Sequence, residues 1–356
     1  MTVLIEKEIG YFLCHRRWSS SNNKAGIPKM ILCKDLFEID CPFLFDLQAQ
    51  KIAKNWFNKE KDMGRPMKNL PKDELEIIEH VSEIVRSAKE AGYLRDSSNS
   101  CDYHENNKKA REFVKCFLSN KKALPYGKFS STDQKILSLN GTNYLFFPNA
   151  SAVVCNILSI DVSEFNDKFN LIVIDPPWVN KMVSRKRKRN ESHGYDLMEI
   201  HEIQKLPVKD LLSENGLVAL WCTNKAAFRS FALQKFFECW NVELVATWYW
   251  IKVTTSGELT TPIGKNKKPF EILLLGRNKN CVNYKPVPSH RIIVSIPAAI
   301  HSFKPPLDEV LKPYIQDEPR CLEMFSRSLI PNWTSIGLEA FQLQDIALYE
   351  PLEENK

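Results

Sequence analysis

From about Asn143 onward, short continuous apolar runs alternate with segments of helical periodicity. Such runs are typical of strands covered on both faces, and their alternation with helices favours a largely parallel sheet. The predicted strands are Tyr144–Phe147, Leu171–Ile174, Leu217–Trp221, Leu244–Val253, Phe270–Leu275, Ile292–Ile296 and Cys321–Phe325. The predicted helices are Leu197–Leu206, Ala226–Cys239 and Leu307–Ile315. The pattern therefore predicts an α/β fold for this part of the chain.

The first 125 residues lack this alternation. Residues Asp73–Ala91 carry apolar side chains every three or four positions, which predicts an amphipathic helix, and Ala110–Leu118 is a second predicted helix. The polar stretch between them, residues 96–109, is interpreted as a linker or mobile loop. We therefore predict a mainly helical N-terminal extension over residues 1–125 and a second domain over residues 126–356.

Several site classes are excluded by what the sequence lacks. The 12 glycines include no G-x-G and no phosphate-loop pattern, which disfavours dinucleotide binding through a glycine-rich loop. The ten cysteines include no C-x-x-C pair, so no metal site is expected. No apolar run reaches 18 residues, so no membrane contact is expected. The net charge of +6 permits a polyanionic partner without requiring one.

The tetrapeptide Asp175-Pro176-Pro177-Trp178 follows the predicted strand Leu171–Ile174 directly. Ligands bind outside the carboxyl ends of strands in doubly wound sheets, so the motif stands where a site is expected. With Pro near 5% of residues and Trp rarer, a random chain of this length contains such a motif on the order of once in a thousand. A strand ended by prolines beside a packed Trp is the structural alternative.

These residue types suit the methylation of a planar exocyclic amine, which is a poor nucleophile because its lone pair is delocalised. The Asp175 carboxylate and the Pro176 carbonyl are two acceptors for its N–H groups. Pro176 and Pro177 fix φ and donate no hydrogen bond, so the acceptors are rigid. Trp178 offers a flat face on which a base stacks. The electrophile would be a sulfonium methyl supplied by a cofactor.

Further blocks stand in order around this motif. They are Cys155-Asn156-Ile157, Gly194-Tyr195, Trp221-Cys222-Thr223-Asn224, Lys268-Pro269-Phe270-Glu271, His301-Ser302-Phe303-Lys304-Pro305 and Glu323-Met324-Phe325-Ser326-Arg327. Over about Leu145 to Leu338 the chain resembles the DPPW-type N6-adenine methyltransferases, the family of the mRNA adenosine methyltransferase catalytic subunit. The resemblance implies a Rossmann-like S-adenosylmethionine-dependent methyltransferase fold. The DPPW block precedes the cofactor strand, as in circularly permuted members of this class, and makes residues 126–356 the catalytic domain.

The resemblance also implies the roles of individual residues. The catalytic residues are Asp175, Pro176, Pro177 and Trp178. The S-adenosylmethionine-binding residues are Asn156, Ile157, Asp175, Lys304, Arg327 and Glu339. The substrate-binding residues are Trp178, Tyr195, Asn224 and Glu271, with Arg185, Lys186 and Arg187 in a basic run. Lys304 is expected to pair with the cofactor's carboxylate, and Arg327 and Glu339 to lie near its ribose.

Two positions depart from the family pattern. Asn156 stands where Asp is usual, which keeps hydrogen bonding but removes the charge. Leu338 stands where an Asn is usual and forms no hydrogen bond, which is expected to weaken cofactor binding, whereas Glu339 still accepts hydrogen bonds from ribose hydroxyls.

Within the family, the chain looks most like the methyltransferase-like 4 branch. That branch implies N6 methylation of internal 2′-O-methyladenosine in small nuclear RNA, giving N6,2′-O-dimethyladenosine, with DNA adenine as the alternative substrate. A monomeric protein of the nucleus, and also of the cytoplasm, is expected. The N-terminal extension is interpreted as either RNA-binding or fold-supporting.

The run Arg185-Lys186-Arg187-Lys188-Arg189 has three open interpretations. It is a nuclear localisation signal, a phosphate-contacting loop or a disordered insert. Two rival functions also stay open for the whole chain. It is a catalytically inactive nucleic-acid-binding scaffold, or a methyltransferase for another planar amine such as cytosine or a glutamine side chain.

Overall fold

The fold was analysed in a computed structural model of the 356-residue chain. The structure describes residues 2–16, 28–43, 72–96, 107–119, 123–178, 198–261, 268–282, 285–300 and 303–352. The basic run Arg185–Arg189, Tyr195, His301 and Ser302 lie outside the described residues. Most of the predicted linker, residues 96–109, lies outside them too.

Fifteen strands are found in the described residues. They are β1 (Val3–Lys7), β2 (Gly10–Leu13), β3 (Met30–Leu32), β4 (Gly127–Ser131), β5 (Lys135–Leu139), β6 (Thr142–Phe146), β7 (Ala150–Val154), β8 (Phe169–Ile174), β9 (Leu212–Cys222), β10 (Val242–Lys252), β11 (Phe270–Asn278), β12 (Ile292–Ser295), β13 (Cys321–Met324), β14 (Trp333–Ile336) and β15 (Tyr349–Pro351). Eleven of them form one mixed sheet in the order β1-β2-β12-β10-β11-β9-β8-β13-β14-β7-β4. The remaining four form two small sheets, β15-β3 and β5-β6.

The centre of the large sheet is parallel. Strand β8 pairs in parallel with β9 on one side and β13 on the other, and β13 continues through β14 to β7. Strand β11 alone in this region runs antiparallel, between β9 and β10. All six residues of β8 are buried, which explains its continuous apolar sequence. The predicted α/β, Rossmann-like fold class is confirmed.

The helices pack on the faces of this sheet or connect its strands. Their bounds are α1 (Lys72–Glu90), α2 (Lys108–Ser119), α3 (Ile200–Gln204), α4 (Val208–Leu211), α5 (Ala226–Phe231), α6 (Phe237–Cys239) and α7 (Asp308–Leu311). A π-helical turn, Ala232–Phe236, joins α5 to α6, so the predicted helix Ala226–Cys239 is continuous but contains a bulge. A 3-10 turn, Lys312–Tyr314, continues α7.

Two apolar layers enclose the sheet, one on each face. Neighbouring strand residues alternate between them: Leu171 and Val173 join one layer, whereas Ile172 and Ile174 join the other. This alternation follows from the two-residue period of a strand. The core therefore lies on both sides of β8, and its rigid packing fixes the end of that strand.

The N-terminal region differs from the sequence prediction. Helices α1 and α2 match the predicted Asp73–Ala91 and Ala110–Leu118 closely. However, β1 and β2 form an antiparallel hairpin whose second strand pairs in parallel with β12 of the large sheet. A mainly helical extension is not confirmed, because the described part also contributes strands to the main sheet. The boundary between residues 125 and 126 stays a prediction.

Candidate active site

The site residues gather at the carboxyl edge of the sheet, where β8 and β13 lie side by side. After β8 the chain continues to β9 on one side of the pair, and after β13 it continues to β14 on the other side. The strand order therefore reverses between β8 and β13. Ligands bind at such switch points. Asp175 follows β8, Arg327 follows β13 and Glu339 follows β14. Asn156 follows β7, the next strand along.

Asp175 is the centre of an ionic network. Its Oδ2 atom lies 3.1 Å from Lys304 Nζ and 3.2 Å from Arg327 Nη1. Arg327 also donates from Nε to Glu339 Oε2 at 3.1 Å. All four side chains are at most 15% exposed. The structure thus brings together four residues that are distant in sequence, Asp175, Lys304, Arg327 and Glu339.

The turn after β13 sets the position of Arg327. Phe325 is buried and has a φ of 60°, in the left-handed region that bulky residues rarely adopt. Conformations of this kind cost of order 1–3 kcal/mol and persist where the surroundings enforce them. Here the turn reverses the chain at the switch point and aims Arg327 back towards Asp175.

The network continues towards the other flank of the sheet through Glu271. Its Oε2 atom lies 3.2 Å from Lys304 Nζ, and its Oε1 atom accepts a hydrogen bond from Lys252. Burial favours the neutral form of Glu271, but the charges of Lys304 and Lys252 lower its pKa from 4.5 to about 2. For Lys304 the directions are opposite: burial lowers its pKa, but the charges of Asp175 and Glu271 raise the pKa above its ordinary value. Both groups are therefore charged at neutral pH.

The proline pair forms a tight turn at the end of β8. The Pro176 carbonyl accepts a hydrogen bond from the Trp178 N–H at 2.8 Å, and the Pro177 carbonyl accepts one from Met198 N at 3.4 Å. A carbonyl oxygen has two lone pairs, so Pro176 keeps one acceptor position beyond the turn. Its predicted role towards an amine stays a prediction.

Trp178 is held firmly by its neighbours. Its Nε1 donates to the Trp221 carbonyl at 3.0 Å, and its ring stacks with Phe228 and Phe236 at centroid distances of 5.6 and 6.1 Å. The π-helical turn contains Phe236. Trp178 is thus a fixed platform beside the site. Whether a base stacks on it stays a prediction.

A narrow cleft of about 30 Å³ opens beside Asp175 and Lys304. Its walls combine charged and apolar side chains. They include Trp221, Phe303, Glu323, Arg327, Ile330 and Trp333. Glu323 accepts a hydrogen bond from Ser326 Oγ at 2.8 Å. Burial, reinforced by the charge of Asp175, raises its pKa from 4.5 to about 7. The cleft therefore contains a carboxyl group that titrates near neutral pH.

The other predicted residues lie around this centre. Asn156 caps a 3-10 turn, Ile157–Ser159, by accepting a hydrogen bond from Leu158 N at 3.1 Å; it is exposed, whereas Ile157 is buried. Asn224 follows β9 and donates to the Phe270 carbonyl at 2.7 Å. Leu338, 36% exposed, stands between the end of β14 and Glu339. The structure does not describe Tyr195, Arg185, Lys186 or Arg187.

Residues 169–339 match the MT-A70 family model, a range that contains the DPPW turn and the ionic network. This part of the chain, a little under half of it, is therefore similar to the MT-A70 family. The family resemblance predicted from the motif blocks is therefore confirmed.

Curated relatives agree with this MT-A70 similarity. The chain is 37% identical over 235 residues to the N(6)-adenine-specific methyltransferase METTL4 of Homo sapiens, covering 63% of this chain and 48% of that protein. It is 34% identical over 209 residues to a DNA N6-methyl methyltransferase of Caenorhabditis elegans, covering 58% and 55%. It is 36% identical over 187 residues to the N6-methyladenosine RNA methyltransferase MTA1 of Pyricularia oryzae, covering 50% and 48%. The chain spans about half the length of these relatives.

The charged groups of this site fit those of S-adenosylmethionine. That molecule carries a carboxylate, an ammonium, a sulfonium and a ribose diol. The cleft places the cations of Lys304 and Arg327 beside the carboxyl groups of Asp175, Glu323 and Glu339, with aromatic walls. A carboxylate matches Lys304 as a point charge, and ribose hydroxyls match the acceptor atoms of Glu339.

The sequence analysis placed Glu323 in a motif block without giving it a role, and it missed Lys252. Glu323 lies inside the buried strand β13, and a carboxylate within an apolar run is itself a signal, since Glu is seldom buried without a partner. Lys252 ends β10, and only the sheet order shows that it faces Glu271.

Metal sites and membrane-spanning helices were both sought within the described ranges. No group of three His, Cys, Asp or Glu side chains there is arranged to hold a metal ion. None of the helices in the part of the chain that the structure describes is long and apolar enough to span a bilayer.

Proposed function

We propose that this chain transfers a methyl group from S-adenosylmethionine to the N6 amine of adenine in a nucleic acid. The observation that carries the proposal is the Asp175 carboxylate, fixed at the end of β8 and bonded to both Lys304 and Arg327. The match of residues 169–339 to the MT-A70 family model and the similarity to relatives named as N6-adenine methyltransferases support it.

The electrophile would be supplied by S-adenosylmethionine, whose sulfonium activates the methyl group. The residues of this chain bind and orient. Lys304 and Arg327 provide positive charge for the carboxylate and ribose ends of the cofactor. Asp175 and the free lone pair of Pro176 accept the two N–H groups of the target amine, which favours the pyramidal nitrogen that attacks. Because both acceptors are held by β8 and the proline turn, they need no rearrangement during the reaction.

The amine loses a proton as it becomes methylated. Asp175, as an ionised carboxylate that accepts a hydrogen bond from the amine, is the nearest acceptor in the proposed arrangement. Lys304 and Arg327, 3.1 and 3.2 Å from its Oδ2 atom, hold this carboxylate in position. No covalent intermediate with the protein is needed, because the methyl group passes directly to nitrogen.

For the substrate, we propose RNA, and specifically internal 2′-O-methyladenosine of small nuclear RNA in the nucleus. The similarity to an RNA methyltransferase named MTA1 supports an RNA target. Adenine in DNA is the alternative, supported by the similarity to a DNA N6-methyl methyltransferase. In either case an unpaired adenine is the easier target, because a base in a duplex must first leave the stack.

The experiment that tests this function is an activity panel. Single-stranded RNA oligonucleotides with adenosine or 2′-O-methyladenosine at the target position, and DNA of the same sequence, are incubated with S-adenosylmethionine, and the nucleosides are quantified by mass spectrometry. The proposal expects N6,2′-O-dimethyladenosine as the main product. N6-methyldeoxyadenosine as the main product would support the DNA alternative. Binding of nucleic acid without binding of S-adenosylmethionine at millimolar concentration would support an inactive scaffold.

A further inference from the structure

The N-terminal hairpin (β1 and β2, residues 3–13) is built closely into the sheet that carries the site. Strand β2 pairs in parallel with β12 from Gly10 to Leu13. A Cβ atom at Gly10 would lie 2.0 Å from the Ile292 carbonyl oxygen, so β2 approaches β12 as closely as only glycine allows. The hairpin is thus fixed against a strand of the main sheet.

A second attachment ties the start of the hairpin to α7. One oxygen of Glu309 accepts hydrogen bonds from the backbone N–H groups of Thr2 and Val3 at 2.7 and 2.9 Å. Helix α7 follows Lys304 by only a few residues. The first residues of the chain therefore hold the segment that carries Lys304.

His15 lies two residues beyond the end of β2 and is 2% exposed. Its Nε2 atom lies 2.7 Å from Ser295 Oγ, which also accepts a hydrogen bond from Trp250 Nε1 at 2.7 Å. Because the Trp indole only donates, the Ser295 hydroxyl is free to donate to an unprotonated Nε2. Burial, together with the nearby charge of Lys252, lowers the pKa of His15 to about 3, which keeps the ring neutral.

The ring of His15 touches the aromatic residues that support both lysines of the site. Its centroid lies 5.6 Å from Trp250 and 5.8 Å, edge-on, from Phe303. Lys252 Nζ lies 4.3 Å from the Trp250 ring centroid, and Phe303 directly precedes Lys304 in the chain. His15 therefore contacts one neighbour of each lysine that pairs with Glu271.

We propose that His15 is a positioning residue of the active site: by fixing Trp250 and Phe303 it holds Lys252 and Lys304 on either side of Glu271. The N-terminal hairpin thereby helps to position the two lysines of the site. The role of His15 in placing the lysines does not depend on the proposed methyltransferase function. The effect of His15 on cofactor affinity does rest on that proposed function.

The first test measures the lysines without any cofactor. The full-length protein is labelled for short times with acetic anhydride, and the labelling rate of each lysine is determined by mass spectrometry. In the parent, Lys304 is expected to react slowly because it is buried between Asp175 and Glu271. His15→Leu is expected to raise the labelling rates of Lys304 and Lys252 at least fivefold, and His15→Gln, which restores an acceptor for Ser295, by less.

Tyr11→Phe is the matched control. It also removes a buried polar group from β2, since the Tyr11 hydroxyl accepts a hydrogen bond from Arg291 Nη1 and lies 3.4 Å from the Tyr314 hydroxyl. Its labelling rates at Lys304 and Lys252 are expected to match the parent, although its melting temperature falls. If His15→Leu leaves both rates unchanged, or if Tyr11→Phe raises them equally, His15 has a general structural role only and the proposal is wrong.

Ser295→Ala covers the case in which His15→Leu does not fold. It breaks the same Trp250–Ser295–His15 connection with a smaller change and is expected to raise the labelling rates of Lys304 and Lys252 about threefold. If neither labelling rate rises, the proposal is wrong.

Calorimetry with S-adenosylhomocysteine measures the effect on cofactor affinity. The Kd is expected to rise tenfold for His15→Leu and to stay unchanged for Tyr11→Phe. Failure of the parent itself to bind would refute the proposed function while leaving the labelling result intact.

Discussion

The ammonium group of Lys304 lies 3.1 Å from the Asp175 carboxylate and 3.2 Å from that of Glu271. One cation thus links the end of β8 to the start of β11. Because β11 runs antiparallel to β9 and β10, the start of this strand reaches the same edge as the ends of its neighbours. The proposed cofactor side and substrate side of the site are therefore joined through a single side chain.

Asp175→Asn is expected to lower kcat about 100-fold or more, because the neutral amide is a weaker acceptor for the target amine. The substitution keeps the shape of the side chain at the end of β8. The Kd for S-adenosylhomocysteine, measured by calorimetry, is therefore expected to change less than about tenfold. Asp167→Asn, which removes an exposed ion pair with Arg320, is the control and is expected to leave both values unchanged. Equal turnover by the Asp175 variant and the parent would refute the role of Asp175.

Lys304→Met is expected to destabilise the protein by about 2–4 kcal/mol, because it removes the buried cation that Asp175 and Glu271 share and leaves each carboxylate with one cationic partner, Arg327 or Lys252. Urea unfolding measures the change. The same substitution at Lys279, whose partner Glu238 is largely exposed, is expected to have little effect. Similar losses for the two variants would show that the network contributes no more than an ordinary surface ion pair.

The raised pKa of Glu323 predicts a pH dependence of stability. The folded protein retains a proton on Glu323 up to about pH 7, whereas the unfolded chain releases it near pH 4.5. The stability contributed by this group is thus present below pH 4.5 and is lost as the pH rises to about 7. Glu323→Gln removes this loss, so its free energy of unfolding relative to the parent is expected to rise by roughly 2 kcal/mol between pH 5 and pH 8.

Asp308, whose pKa burial raises to about 6, is present in both proteins and cancels in this comparison. Glu214→Gln, at an exposed position, is the control, and its difference from the parent is expected to vary little over the same range. A difference between Glu323→Gln and the parent that stays constant from pH 5 to pH 8 would show that Glu323 is already ionised in the folded state at pH 5.

Leu338→Asn is expected to strengthen cofactor binding about three- to tenfold. Leu338 is 36% exposed beside Glu339, and an amide there gains hydrogen-bonding groups at the proposed ribose end of the cleft. Calorimetry with S-adenosylhomocysteine measures the gain. Leu244→Asn, at a similarly exposed leucine in the first half of β10, is expected to leave the Kd unchanged. A weaker affinity in Leu338→Asn would mean that the leucine makes an apolar contact to the cofactor.

Neutralising Arg185, Lys186 and Arg187 to Gln tests the basic run. If these residues contact phosphates, the variant is expected to bind single-stranded RNA more weakly. The slope of log Kd against log salt concentration is then expected to be smaller in the variant, by about 0.7 for each phosphate that is no longer neutralised. Fluorescence anisotropy over a salt series measures both. An unchanged slope would leave the localisation signal and the disordered insert as the remaining interpretations.

The sequence predicted the central strands well, because each is buried on both faces and consists almost wholly of apolar residues. Strand β8 is predicted from Leu171 and begins at Phe169. Strands β7 and β14 were missed, since they contain small and hydroxyl-bearing residues. Ser335 in β14, for example, is fully buried and donates to the Ser328 carbonyl at 3.1 Å. Only the folded chain reveals that partner.

The site was predictable to the extent that local motifs carry it. The DPPW turn follows from its position after β8, and Lys304 and Arg327 follow from the family resemblance. Glu323, Lys252 and His15 were not assigned a role, because their importance depends on which strands are neighbours. The order β2-β12-β10-β11-β9-β8-β13 is a long-range property that no local window of the sequence contains.

The pairing of β2 with β12 also bears on how this protein is produced. All four residues of β12 are buried, so a shortened chain that begins after His15 would present Ile292–Ser295 as a bare, apolar sheet edge. Unprotected edges of this kind pair with other molecules and lead to aggregation. Trimming the N-terminus to obtain a minimal catalytic fragment is therefore expected to yield insoluble material rather than a smaller active enzyme.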